Sequence, residues 1–356
     1  MTILTILFAI LIFSILIFVH ELGHFLAAKA FKVQVNEFSM FMGPAIYKKQ
    51  KGETLYSIRC IPIGGYCAME GEDADTDNPR SFQKAAWWKR LIILVAGAFM
   101  NLVIGFLMLM LVFAFEKTSV TPVIASVEEE CTIVRDGGIQ VGDELWKIDG
   151  YRAYTTTDAN LLLSLGGPTH DIQVKRNGKI IKLDDYEMQR VVYFDDENHI
   201  FRTGYGITFH QEPNNFWNLL SYTANSSCSV VQSVVLSLKM LITGQAGLKD
   251  VSGPVGIVQI MSDTASSAGS VGMGILSMCY FGGFIAINLC VMNLLPIPAL
   301  DGGRCVGLLL TTAIEKITKK KLDPKYEGYI HAVGMILLLI LMAVILFKDV
   351  FMIFKG

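Results

Sequence analysis

The sequence predicts an α-helical polytopic membrane protein carrying a small β-rich domain, and three observations predict it. Of the 356 residues, 52% are hydrophobic and 17% charged, with mean hydropathy +0.47, which is too apolar for an ordinary soluble domain. Four runs, 1–31, 91–115, 271–296 and 329–354, are long enough to cross a hydrocarbon core of about 30 Å. Charged residues and short alternating runs return in the long segment between the second and third of these.

The first run begins without a basic flank and continues into "VHELGH" rather than a small-residue cleavage site, so it reads as a retained helix. The second follows "WWKR", tryptophans beside cations, as expected at a membrane interface. The third, "VGMGILSMCYFGGFIAINLCVMNLL", has no charge and several glycines that let neighbouring helices approach.

Orientation follows from the short connections. Residues 32–90 hold Lys32, Lys48, Lys49, Lys51, Arg59, Arg80, Lys84, Lys89 and Arg90, and 297–328 hold Arg304, Lys316, Lys319, Lys320, Lys321 and Lys325. Both are therefore read as cytoplasmic loops, which gives four spans with both chain ends outside.

The outer segment starts as a β-rich domain. "IQVKRNGKIIKL" alternates around a hairpin-like Asn177-Gly178, and "TDANLLLSLGG" reads as one short helix stopped by Gly166. Within 211–270, residues 214–244 are dense in Asn, Ser and Thr, and are expected to lie on the outer surface or pack on the bundle rather than cross.

Several classes are excluded. A net charge of −2 gives no basic footprint for nucleic acid. The seven cysteines show no CxxC spacing, so neither a zinc knuckle nor a disulfide framework is indicated.

The chemistry lies in "LIFVHELGHFLAAKAF", residues 16–31. His20 and His24 are four apart and so project one turn apart from one helix face, the spacing that lets two imidazoles bind one metal with Glu21 beside the open position. A helix face at bilayer depth makes unpartnered imidazoles and a carboxylate expensive. A catalytic zinc takes three protein ligands and leaves the fourth position to water.

The third candidate is Asp301 in "NLLPIPALDGGR", where an apolar run is broken by Pro296 and Pro298. A helix entering near Ile3 reaches His20 after roughly 25 Å, near the cytoplasmic boundary, and the third span returns to that boundary at Asp301. A fifth crossing at 214–244 would put Asp301 on the wrong side. Zn2+ held by His20, His24 and Asp301, with Glu21 as general base, suits water-assisted amide hydrolysis.

HELGH in a first spanning helix and "NLLPIPALDGG" in a later one resemble the site-2 protease family of intramembrane zinc metalloproteases (peptidase M50). Within it the chain is most similar to the bacterial RseP (regulator of sigma-E protease) type. "GAFMN" at 97–101 is similar to that family's Gly-x-x-x-Asn pattern, and "GPVGI" at 253–257 also matches. Arg304 stands where "LDGGH" is common.

The resemblance implies a membrane-reentrant β-hairpin over 33–66, turning at Lys51-Gly52, and substrate handling by Asn288, Asn293, Pro296 and Pro298. Gly97 and Asn101 are expected as helix contacts. "GGIQVGDELWKIDG" resembles a PDZ domain, a single copy at 118–188 with an extension to 210, which the resemblance places outside the membrane either to bind peptide ends by strand addition or to act as a size filter.

The implied setting is the bacterial inner membrane. The implied partners are the lipid bilayer and single-span transmembrane substrates already cut by another protease, such as anti-sigma factors or signal-peptide remnants, in regulated intramembrane proteolysis. The competing reading is a catalytically silent PDZ-containing membrane scaffold, against which the intact ligand trio and Glu21 argue.

Overall fold

The structure, a computed structural model, describes residues 3–72, 76–127, 138–188, 190–195, 200–247, 253–267, 269–319 and 325–355. Cys131, Lys320 and Lys321 lie outside them. Along the chain run α1 (Ile3–Ala30), β1 (Val35–Lys51), β2 (Thr54–Met69) and α2 (Trp87–Phe113). Next come β3 (Thr118–Val127), β4 (Glu144–Ile148), β5 (Tyr151–Arg152), α3 (Thr156–Leu165), β6 (Thr169–Arg176) and β7 (Lys179–Glu187). The rest is β8 (Val191–Asp195), β9 (Ile200–Gly204), β10 (Ile207–Pro213), α4 (Phe216–Ile242), α5 (Pro254–Ser266), α6 (Val271–Asn293), α7 (Asp301–Thr318) and α8 (Lys325–Lys355). The chain divides into two compact units, 1–109 with 237–356, and 110–236.

Five helices among the described residues are long and apolar enough to cross a membrane: Ile6–Ala30, Trp87–Phe113, Phe216–Ile242, Val271–Asn293 and Gly328–Asp349. The third, in α4, is the least apolar, with hydropathy 1.2 where the others reach 2.0 to 2.9. It buries Thr223, Ser226, Ser227 and Ser229. Ser229 Oγ donates to Asp158 at 2.6 Å, and Gln232 Nε2 donates to the Arg152 carbonyl at 2.7 Å.

Two apolar clusters hold the first unit. Ala9, Ile12 and Leu16 of α1 pack with Met261 of α5 and with Met278, Ile285 and Ala286 of α6. Ala28 packs with Val35, Phe38, Cys67 and Met69 of the strands, Ile93 and Leu94 of α2, and Cys305 and Leu308 of α7. Small residues set the helix separations: a Cβ on Gly105 of α2 would lie 2.7 Å from Ile287 Cγ1 and 2.9 Å from the Gly283 carbonyl oxygen.

β1 and β2 do more than form the expected hairpin. The turn falls at Gly52, with φ +61°, and Tyr47–Lys51 pairs back on Thr54–Ile58. Left-handed backbone at Phe41, Gly43 and Gly64 then bends both strands. As a result Glu37–Met40 is flanked on one side by Leu55–Ile58 and on the other by Gly65–Ala68. Arg59 fastens the bend, donating to the Gly43 carbonyl at 2.6 Å and to Glu37 at 2.8 Å.

The stretch 297–328, expected as a loop, contains α7. Asp301, Gly302 and Gly303 form its first turn instead of a free turn, because the chain reverses earlier, over Leu294–Leu300. There Ala299 adopts φ +82°, and its N–H donates to His331 Nδ1 of α8 at 3.1 Å. A Cβ on Gly302 or Gly303 would collide with the Leu294–Ile297 backbone, so glycine is what lets α7 fold back so tightly. Helix α2 likewise starts earlier than expected, taking the two tryptophans into its first turn. The N-terminus of α5 has no side chain at its Gly253 cap. Buried Asp349 of α8 substitutes, accepting from Gly253 N at 3.4 Å and Gly256 N at 3.0 Å.

The second unit is built on an antiparallel sheet of order β10-β3-β4-β6-β7, with β5 paired to β4. Asn177 (φ +50°) and Gly178 (φ +77°) turn β6 into β7, the twist a two-residue hairpin favours. Thr155 and Asp158 form a capping box on α3, which ends at Gly166. The sheet reaches Pro213, past the expected limit of 210, because β10 lies along β3. Ile124, Leu145, Ile148, Leu162, Ile172 and Val174 fill the core.

Fully buried Asp143 holds Arg176 through two bonds, Nε–Oδ1 at 2.7 Å and Nη2–Oδ2 at 2.8 Å. Hydrogen bonding to Asp143 raises the Arg176 guanidinium above its ordinary value. Asp143→Ala removes one partner of this pair and is expected to destabilise the unit by about 2–4 kcal/mol. Faster amide exchange in β4 and β6 of the full-length chain is the readout.

Candidate metal centre

Three side chains from two distant segments of the chain meet within the first unit. His20 and His24 stand one turn apart on α1, and Asp301 opens α7. Their ligand atoms form a tight triangle: His20 Nε2 to Asp301 Oδ2 at 3.2 Å, His24 Nε2 to Asp301 Oδ2 at 3.4 Å, and the two Nε2 atoms at 3.2 Å. For zinc bonds of about 2.0–2.1 Å in tetrahedral arrangement, neighbouring donor atoms lie about 3.3 Å apart.

The outward ring nitrogens decide what the inward ones can be. His24 Nδ1 lies 2.8 Å from the Ile93 carbonyl oxygen, which can only accept, so Nδ1 carries a proton, and in its neutral form His24 turns a lone pair inward. His20 Nδ1 is 3.3 Å from the Asn101 amide and 3.5 Å from that of Asn293. Asn101 Oδ1 is buried and unpartnered, and turning that amide over lets it accept from His20 Nδ1–H. Lone pairs of both histidines then converge on Asp301 Oδ2, itself buried without a hydrogen-bond partner. Such a triangle is repulsive unless a cation occupies its centre, so the residues present fit zinc.

Two glycines create the space. A Cβ on Gly23 of HELGH would run into the Ala96 carbonyl and lie 2.9 Å from Met100 Cγ, so α1 and α2 touch backbone to backbone there. A Cβ on Gly97 would collide with His24 Nε2 and lie 2.7 Å from its Cε1 and 2.8 Å from His20 Cε1. Gly97 and Asn101, expected only as helix contacts, thus form the wall and the brace of the histidine pair.

Glu21 faces the strands. A Cβ on Gly65 would lie 3.4 Å from Glu21 Cγ, and His24, His20, Asp301 and Glu72 are the charges around its carboxylate. Of the residues expected to handle substrate, Asn293 sits at His20. Asn288 is half-buried more than a turn earlier on α6, and Pro296 is exposed. Pro298 packs against Gly334 of α8, a helix-packing role. The Ile93 carbonyl and Glu72 escaped the sequence reading. A backbone acceptor leaves no side-chain signature, whereas the mid-helix Gly23 was a readable sign of close approach.

The chain matches the family model of Peptidase family M50 over residues 8–341. The chain belongs to that family. It is 35% identical to a Clostridium acetobutylicum protein that bears a zinc metalloprotease name, over 98% of each chain. The zinc metalloprotease RasP of Bacillus licheniformis is 26% identical, over 97% of this chain and 98% of that protein. The regulator of sigma-W protease RasP of Bacillus subtilis is 25% identical over the same shares. This M50 peptidase is thus a multi-pass membrane zinc metalloprotease of the site-2 protease family.

Gly97→Ala is expected to expel the metal while the chain still accumulates in membranes. Gly272→Ala on α6, where a Cβ meets nothing within 4 Å, should keep it. Zinc per mole of purified protein is the measurement.

Proposed function

We propose that this M50 peptidase is an intramembrane endopeptidase that cuts peptide bonds within the spanning segments of single-span proteins, with His20, His24 and Asp301 holding zinc and Glu21 as general base. The observation that carries this is the triangle of lone-pair atoms inside an apolar helix bundle, with a carboxylate beside it. Bound zinc supplies Lewis-acid polarisation of the scissile carbonyl and a more acidic water. Glu21 takes the proton of the attacking water and delivers it to the leaving nitrogen. His24, oriented by the Ile93 carbonyl, and His20, braced by Asn101, keep their inward nitrogens unprotonated.

A helical substrate hides its carbonyls in i to i−4 bonds and must be unwound first. An extended peptide can pair with a strand edge, and the Gly65–Met69 end of β2 runs beside Glu21, which supports binding by strand addition to a membrane-reentrant sheet. Asn288, Asn293 and Pro296 are proposed along the same path.

We read four of the five apolar helices as spans and α4 as the exception, on its low hydropathy and buried Ser and Thr face. The β-rich unit, read as a PDZ domain, would then be extracytoplasmic and the metal centre near the cytoplasmic face of the inner membrane. The name of the Bacillus subtilis relative, which regulates sigma-W, supports anti-sigma factors trimmed by an earlier protease as substrates.

Glu21→Gln should retain zinc and lose cleavage of a single-span model protein, whereas Asp301→Ala should lose both. Equal cleavage by wild type and both variants would sink the mechanism. For topology, a reporter fused after Gly178 should register outside the cytoplasm; a cytoplasmic signal would overturn the four-span arrangement.

A further inference from the structure

Helix α7 delivers Asp301, and a polar contact ties that helix to the turn that follows β2. Arg304, one turn after Asp301, forms an ion pair with Glu72 through Nη1 and Oε1. Both are largely withdrawn from solvent, their side chains 32% and 16% exposed.

Glu72 is itself held in place. It follows a tight turn in which Gly71 has φ +66° and lies against Ser81, where a Cβ would be 2.6 Å from Ser81 Cβ. Its second oxygen is 3.4 Å from Met69 N at the end of β2. Below the pair, Cys305 and Leu308 of α7 pack with Cys67 and Met69 of β2. The same strand end passes Glu21 at Gly65.

The contacts around Asp301 therefore divide by function. Gly302 and Gly303 fix α7 against the end of α6. Apolar packing presses it onto the sheet without setting its register, because such contact is non-directional. The Arg304–Glu72 pair adds a directional bond between the helix carrying Asp301 and the turn that closes the strand beside Glu21. Arg304 also places a positive charge beside Glu72, which otherwise adds to the repulsion among the carboxylates of Glu21 and Asp301.

We propose that Arg304 and Glu72 are a positioning pair: their ion pair locks the Gly65–Met69 strand end in register with Asp301, so that a peptide paired to that strand meets general base and metal at a fixed distance. This rests on the reading of His20, His24, Asp301 and Glu21 as the active site. Neither residue touches substrate. Their loss acts on turnover, since a small displacement of a bound peptide slows the reaction without preventing binding.

The test uses the full-length enzyme in detergent and a purified single-span model protein whose span contains a Gly-Pro break. Loss of cleavage in Glu21→Gln establishes the active-site reading separately, so failure of that reading and failure of the pair are distinguishable. Arg304→Gln and Glu72→Gln are each expected to lower kcat by about tenfold with KM within about twofold, zinc content unchanged and faster amide exchange over residues 65–69. The double variant should be about tenfold down as well, because two groups acting through one bond can lose it only once.

Arg304→Lys, which keeps the charge, should recover part of the loss and carries the test if Arg304→Gln fails to accumulate. Single variants within twofold of wild type, losses that multiply to about a hundredfold in the double, or zinc lost in step with activity would each overturn the proposal.

Discussion

Everything in the membrane unit is arranged around one electrostatic constraint. Two imidazole nitrogens and a carboxylate oxygen point at one another across 3.2 to 3.4 Å, with side chains only 8 to 18% exposed. With both imidazoles neutral and protonated on their outer nitrogens, no hydrogen bond within the three residues satisfies that arrangement. A cation resolves it. The apolar surroundings that make the arrangement costly without metal also strengthen each metal contact when zinc is bound.

Backbone proximity follows from that constraint. The histidines reach their geometry because α1 and α2 approach at Gly23 and Gly97, and Asp301 reaches it because Gly302 and Gly303 let α7 press against the end of α6. In each case glycine serves by lacking a side chain. The cost of about 1 kcal/mol for a glycine within a helix is offset by contacts that a larger residue would forbid.

The strands bring a sheet edge beside the same centre. Bulges at Phe41, Gly43 and Gly64 fold a long hairpin onto itself, so that Gly65–Met69 becomes a side of the sheet and lies beside Glu21. A flat hairpin of the same residues would carry that strand end away from Glu21. Sheet, metal-ligand helix and histidine helix share one apolar cluster through Ala28, Phe38, Met69 and Leu308. The candidate metal ligands and the sheet are therefore mechanically joined.

Much of this was legible in the sequence, for identifiable reasons. Long uncharged runs announce spanning helices because the bilayer demands internal hydrogen bonding over a set length. His20 and His24 announce a metal pair because helical periodicity is local, and Asn177-Gly178 announces its hairpin because the left-handed backbone is local too. Asp301 was legible as the acidic residue that follows an apolar run broken by Pro296 and Pro298.

What depended on tertiary structure was non-local or carried by backbone. The Ile93 carbonyl could not be distinguished from any other. Arg304 looked only like a departure from a family pattern until it was seen against Glu72, 232 residues away in the chain. The helical character of α7 was hidden by a glycine pair that reads as a turn, because its stability comes from burying Cys305 and Leu308 against strands that the sequence cannot place. The amino-acid order alone determined which groups could do chemistry; only the three-dimensional packing decided which partners hold them, because those partners are joined by proximity in space and share no period along the chain.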